Sequence, residues 1–262
     1  GAYGFLRFSF PMFPFAVKLF LIPLLALSVT AIIYGAYVTL MQKDMKRLIA
    51  YSSVSHMGFV TLGIFCLNQN GIEGGILQMI NHGIITGALF LCVGMIYERT
   101  HTRMIEDYGG LFKTVPIYIV FFTIFSLAAI GFPGMNAFIG EFLIISGAFK
   151  ANMVIAAFSI LGVILGASYM VWLYYRVALN EINPNTKAQL TDLDLREIAT
   201  LLPLVILVFL IGLQPEVLLS YMHVSVEHLL ERIHATLPIE NLPVYDSMAS
   251  FAQYFKEIIG WT

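Results

Sequence analysis

Apolar residues run along this chain in long unbroken stretches, not in alternation with polar ones. Positions free of Asp, Glu, Lys and Arg extend over 19–42, 48–72, 74–97, 151–175 and 198–215. About 20 apolar residues at a rise of ~1.5 Å cross a hydrocarbon core of ~30 Å, so each run is long enough for a transmembrane helix. The pattern predicts helices near 19–41, 48–67, 74–97, 114–149, 152–176 and 197–215. Barrel strands do not compete, because they alternate and are only about ten residues long. Residues 1–14, closed by Pro11 and Pro14, read as the end of an upstream transmembrane helix. Gly1 in place of Met reads as a cut point within a longer protein.

The segment 114–149 is exceptional. Its 36 residues contain one charge, Glu141, and as a straight helix they would reach ~54 Å, far beyond the bilayer core. Its middle reads GFPG, Gly131 to Gly134. Pro133 removes a backbone donor and the glycines relax the chain, so one crossing made of two half-helices is expected. Irregular backbone at that depth survives only when buried in protein or lining a wet cavity. The fold class is therefore all-α, a polytopic membrane bundle with a discontinuous helix around residues 131–134.

Composition agrees with a bilayer partner and narrows the alternatives. Charged residues make up 11% of 262 and hydrophobic residues 59%, with a mean hydropathy of +0.84. Soluble domains average about 25% charged. A net charge of −2 without any basic block argues against nucleic acid as a partner. Cys66 and Cys92 sit in apolar runs without CxxC spacing and read as reduced packing residues.

Alternating loops set the expected orientation. Lys43, Lys46, Arg47, Arg99, Arg103, Lys113, Arg176, Lys187 and Arg196 fall on one side, which should be cytoplasmic; the internal loops of the other side carry only Lys150. Residues 216–262 then lie on that other side. Leu218, Met222, Val226, Leu229 and Ile233 form a stripe opposite Ser220, Glu227, Glu231 and His234, as expected of an interfacial amphipathic helix against lipid or a neighbouring subunit. A shorter pattern through Phe251, Phe255 and Ile259 repeats it, and Tyr174 and Tyr175 read as an interfacial belt.

Ionisable groups inside membrane segments are costly, by ~2.5–3.5 kcal/mol for a central charge on insertion scales, and each needs a reason. His56 lies nine residues past Arg47, His82 nine past Glu73 and Glu141 nine before Lys150. Each is thus ~13 Å from a helix end. Measured from those ends, His82 and Glu141 share a depth and His56 belongs to the other leaflet. Ser52 lies one turn before His56; Gln78 and Thr86 flank His82, with Asn81 adjacent. With Lys46 at the cytoplasmic end, these are the supporting polar residues, although Gln78, Asn81 and the Ser52/Ser53/Ser55 group also suit plain interhelical hydrogen bonding. Carboxyl and imidazole groups approach one another in proton affinity in apolar surroundings, so Glu141, His82 and His56 form a candidate proton relay. No metal site is expected from histidines at two depths without a third soft ligand, and no nucleotide loop or nucleophile–base pair is present.

Four motifs carry a family resemblance. DMKRLIAYSSVSHMGF (44–59), GALFLCVGMIYERTHTR (87–103), YGGL (108–111) and GFPGMNAFIGEFLI (131–144) together resemble the antiporter-like, proton-pumping membrane subunits of NADH-quinone oxidoreductase, respiratory complex I. Within them the likeness is to the chain M / mitochondrial NADH dehydrogenase subunit 4 family and runs nearly the full length. Sister chains L and N and the multisubunit cation/proton antiporters typically carry lysine where this sequence has Glu141. The resemblance implies the C-terminal half of a subunit of about fourteen spans, with the second of two inverted repeats. It implies a non-redox part of a proton-translocating enzyme in a bacterial inner or mitochondrial inner membrane, with chain L- and N-like partners. NADH, FMN, iron–sulfur clusters and quinone would belong to other subunits, with no cofactor in this chain. His56, His82 and Glu141 match the family's central hydrophilic axis, and Met135 stands where the family usually has a small hydroxyl residue. The alternative is a subunit of a multisubunit cation/proton antiporter.

Overall fold

The computed structural model describes residues 1–181 and 190–236. A leading helical segment, Ala2–Gly4, Phe5–Ser9 and Phe10–Met12, precedes eight principal helices: α1 (Pro14–Leu40), α2 (Met45–Phe65), α3 (Gln69–Thr100), α4 (Pro116–Ile130), α5 (Asn136–Ala151), α6 (Met153–Tyr174), α7 (Leu195–Leu213) and α8 (Glu216–Thr236). A π-helical turn, Tyr175–Leu179, prolongs α6. The described residues form no strand, only an isolated bridge between Asp44 and Met104. Five helices are long and apolar enough to cross a membrane: α1, α2, α3, α6 with its extension, and α7; α4 is a shorter apolar helix.

Capping explains most of the boundaries. Pro14 opens α1 as a first-turn residue, where its missing N–H is harmless, instead of closing the segment before it. Asp44 caps α2 by accepting from Arg47 N at 3.1 Å, and Asn68 caps α3 by accepting from Gly71 N at 2.9 Å. Helix α3 starts five residues before the charge-free run that suggests it, because Glu73 is buried and paired instead of marking an end. Asp194 and Glu197 form a capping box at the start of α7.

The predicted interruption falls between α4 and α5. Gly131 adopts φ +77°, its N–H donates to Ala128 O at 3.1 Å and the Phe132 N–H donates to Leu127 O at 3.1 Å. This Schellman pair ends α4. Gly134, at φ +90°, turns the chain into α5, whose cap residue Met135 provides no side-chain acceptor.

Helix α3 is the central post, packed on α2, α4, α5, α7 and α8. A Cβ on Gly74 would stand 2.8 Å from Ile144 N, so the bare glycine lets α5 approach to backbone contact. Two clusters fill the interior, one around Leu48, Tyr118, Phe122 and Tyr169 and the other around Leu21, Ile32, Phe65 and Ile144. Cys66 and Cys92 are buried in different clusters. Large apolar side chains face outward, among them Phe15, Leu27, Tyr34 and Ile164, as lipid contact allows.

At the end bearing most of the cations, Arg99 ties three elements together. Its guanidinium donates to both carboxylate oxygens of Glu197, at 2.8 and 2.6 Å, and to the carbonyls of Thr191 and Asp192. Asp192 accepts from Ile117 N and Tyr118 N, capping α4 from 74 and 75 residues away. Arg103 pairs with Asp44 at 3.5 Å. Tyr174 is not a lipid-facing belt residue: it bonds Thr123 at 2.9 Å and stacks on Phe122, whereas Tyr175 is exposed.

Helix α8 turns Leu219, Val226, Leu230 and Ile233 inward against α3 and the leading segment of the same chain. Met222 and Leu229 flank that stripe. The pattern through Phe251, Phe255 and Ile259, like Lys187, lies outside the described residues.

Candidate functional site

The polar centre assembles where α2, α3, α5 and α6 meet beside the break. His56 on α2 places Nδ1 3.6 Å from Glu141 Oε1 on α5, with side-chain exposures of 12% and 8%. The Gln78 amide on α3 donates to the same Glu141 oxygen at 3.3 Å. Asn81 donates to Gln78 Oε1 at 3.4 Å and to the carbonyl of Asn136, the first residue of α5, at 2.8 Å. The rings of His56 and His82 stand 6.0 Å apart. On the far side of His56, Nε2 meets the Tyr169 hydroxyl of α6 at 3.1 Å, while the Ser52 hydroxyl, one turn earlier, donates to the Ile49 carbonyl at 2.8 Å.

His56 therefore shares the centre with His82 and Glu141 and does not belong to the other leaflet. The physical reason is arithmetic. Groups ~13 Å from opposite faces of a ~30 Å core differ in depth by only ~4 Å, less than a side chain's reach. The argument against a metal from two histidine depths falls with it, and among the described residues no group of three or more His, Cys, Asp or Glu could hold a metal ion.

Glycines make room for this chemistry. A Cβ on Gly131 would lie 2.7 Å from Glu141 Oε2, so the carboxylate rests directly over the broken turn. Gly140 likewise leaves space for Gln78 and Asn81; its Cβ would stand 3.2 Å from Asn81 Nδ2.

Ser52, His56, Gln78, His82 and Thr86 line one small cavity together with Ile85, Leu89, Ala129 and Ala137. At about 10 Å³ it has room for roughly one water-sized molecule. Lys46 is not part of this group: it is exposed in the first turn of α2, where its ammonium stays in the polar layer. Tyr169 is the residue that sequence reasoning missed. A tyrosine in an apolar run looks like packing, and only the fold shows that its fully buried hydroxyl meets a histidine 113 residues away.

A carboxyl and two imidazoles lie close together with amides and a phenol around them, groups able to bind and release protons; Nε2 of His82 is buried without a hydrogen-bond partner.

Comparison with known proteins gives consistent matches. The family model described as NADH:quinone oxidoreductase/Mrp antiporter, TM, matches residues 1–166. The chain is 50% identical over 231 residues to NADH-ubiquinone oxidoreductase chain 4 of Marchantia polymorpha, covering 88% of this chain and 47% of that one. It is 48% identical over 237 residues to NADH-quinone oxidoreductase subunit M of Rhodobacter capsulatus, covering 90% and 46%. Among solved structures, respiratory complex I from Thermus thermophilus with bound NADH matches with a TM-score of 0.84 and 34% identity over 89% of this chain and 49% of that one. The Mrp complex from Dietzia shares the fold, with a TM-score of 0.71 and 18% identity over 97% and 52%. The chain spans about half the length of the curated relatives it matches.

Proposed function

The chain belongs to the NADH:quinone oxidoreductase/Mrp antiporter transmembrane family, and from that membership we propose that it works as part of a proton-translocating membrane subunit of an NADH:quinone oxidoreductase. The observation that carries this reading is the meeting of His56, Gln78 and Glu141 from three helices, one of them the second half of the broken helix.

In this reading Glu141, when protonated, passes its proton to Nδ1 of His56, leaving a carboxylate that Gln78 holds. The Tyr169 hydroxyl at Nε2 donates to or accepts from the ring according to its tautomer. Two imidazolium charges with ring centres 6.0 Å apart repel each other, so His56 and His82 hold a proton in turn and not together. Ser52 and Thr86, with a water in the cavity between them, extend the path. Lipid-like walls keep the proton on these groups.

The redox chemistry is assigned to partner subunits, where NADH, flavin, iron–sulfur clusters and quinone would bind. The proposed partners are chain L- and N-like membrane subunits, in a bacterial or mitochondrial inner membrane. The end carrying Lys43, Arg47, Arg103 and Lys113 is proposed to face the cytoplasm or matrix. A cation/proton antiporter subunit is the second reading. Glu141, where those proteins typically carry lysine, favours the oxidoreductase.

Glu141→Gln in the full-length subunit of the assembled complex tests the reading. Proton pumping coupled to NADH oxidation should fall strongly with assembly intact; unaltered pumping would remove Glu141 from the path.

A further inference from the structure

A second ionisable group lies toward the far end of α3, outside the centre just described. Glu73 is one turn into the helix and its side chain is only 5% exposed. The Nδ1 atom of His223 on α8 stands 2.7 Å from its Oε1, and the Gln69 amide donates to the same oxygen. Gln69 also donates to the His223 backbone carbonyl at 3.2 Å, fixing α8 against α3. The other ring nitrogen, Nε2, faces Glu216 at 3.6 Å. Side-chain exposure rises along this line, from 5% at Glu73 to 45% at His223 and 73% at Glu216.

An apolar cluster is built from the same helices. Leu77 on α3, Ile211 on α7 and Leu219 on α8 pack together, with Ile139, Leu143 and Met222 against them. Ile139 and Leu143 flank Glu141 in sequence, Leu77 follows Glu73 by one turn, and Met222 precedes His223. The cluster thus draws on sequence neighbours of both sets of proton-binding groups. Arg7, His228 and Arg232 line a separate open cavity with Ile76 and Met79, and Glu227 follows His223 by one turn of α8.

We propose that Glu73, His223 and Glu216 form the proton-exchange site on the side opposite the cation-rich loops, through which the relay of Glu141 exchanges protons with water. The inference rests on the proton-translocating reading. Glu73 takes a proton from the relay as a neutral carboxyl group and gives it to Nδ1 of His223. The resulting imidazolium releases its Nε2 proton to Glu216 or to bulk water, and the half-exposed ring returns to its Nε2–H tautomer by proton exchange with water before the next transfer. One proton enters and one leaves, no electrons move, and Glu73 returns to a carboxylate. The pairing with Glu73 raises the His223 pKa above that of a free imidazole. Leu77, Ile211 and Leu219 act as the barrier that must wet for the two sets to communicate.

The test uses the assembled complex in proteoliposomes, with Glu73→Gln, His223→Gln and His223→Lys in the full-length subunit. Protons moved per NADH should fall in the first two variants while NADH oxidation by uncoupled complexes is kept. His223→Lys retains a cation against Glu73, so a merely structural latch would leave it like the parent. An exchange site instead moves the outer-pH dependence of pumping by more than one unit to the alkaline side, since lysine and histidine differ by about 4 units. Parental proton yields and pH profiles in all three variants overturn the proposal. If Glu141→Gln also pumps normally, the relay reading itself has failed; if it does not, only the exchange site has.

Discussion

Adding a single methyl group at the break provides a sharp perturbation. In Gly131→Ala the new Cβ would sit 2.7 Å from Glu141 Oε2, where ordinary contact begins at 3.4 Å. The carboxylate is the flexible end of a side chain, so it moves, by about 0.7 Å, and the helices stay. The Gln78 amide holds the other carboxylate oxygen, Oε1, at 3.3 Å, so a shift of that size away from Gln78 would break the bond. The residue also sits at φ +77°, which for an L side chain costs about 1–2 kcal/mol. Gly134→Ala is the matched control: its φ is +90°, and the nearest atom to its Cβ is Leu213 Cδ2 at 4.0 Å. Both variants should lose similar stability, measured as melting temperature of the purified complex. Misplacing a reacting group by about 1 Å can cost 10²-fold, so Gly131→Ala should slow proton transfer through this chain by at least about tenfold, read as proton flux in proteoliposomes. Equal pumping by the two variants would refute the link between the broken turn and the carboxylate.

Three further outcomes follow from other contacts. Arg99→Leu leaves the Glu197 carboxylate, 8% exposed, without its cationic partner; removal of one member of a buried pair costs about 3–5 kcal/mol, so the melting temperature should fall sharply, and adding Glu197→Leu should recover part of it, less the capping bond from Asp194 N–H. Tyr169→Phe removes the hydroxyl at His56 Nε2 and should reduce pumping with little change in stability, because the ring volume is kept; parental pumping would remove Tyr169 from the path. For α8, the raised His223 pKa sets the sign of a pH effect: the docking energy from its pairing with Glu73 is fully present below the ordinary histidine value of about 6.5 and is lost as pH rises through the raised value. Amide exchange over residues 219–233, corrected for intrinsic rate, should therefore be more protected at pH 6 than at pH 9, and equal protection would contradict the pairing.

Much of the architecture is legible in the sequence because lipid imposes one rule, that long apolar runs become helices. The discontinuity is legible too, since Gly131, Pro133 and Gly134 sit inside a run too long for one crossing. Depth was not legible in the same way. Counting from Arg47 and Glu73 treats charges as helix ends, yet Glu73 is inside α3 and buried against His223, and His56 reaches Glu141 across helices. Tyr169 and His223 lie 113 and 150 residues from their partners, and no local pattern announces such pairings. The amphipathic face of α8 can be read from its spacing, but that it covers α3 of its own chain instead of lipid follows only from packing.

The central claim is that Glu141 gains and loses a proton as the assembly turns over. Infrared difference spectroscopy of the full-length complex, comparing resting and NADH-driven states, observes that directly. A carboxyl C=O band should change on turnover and vanish in Glu141→Gln. A Glu141 carboxyl that stays silent throughout turnover, with pumping intact, would contradict the account.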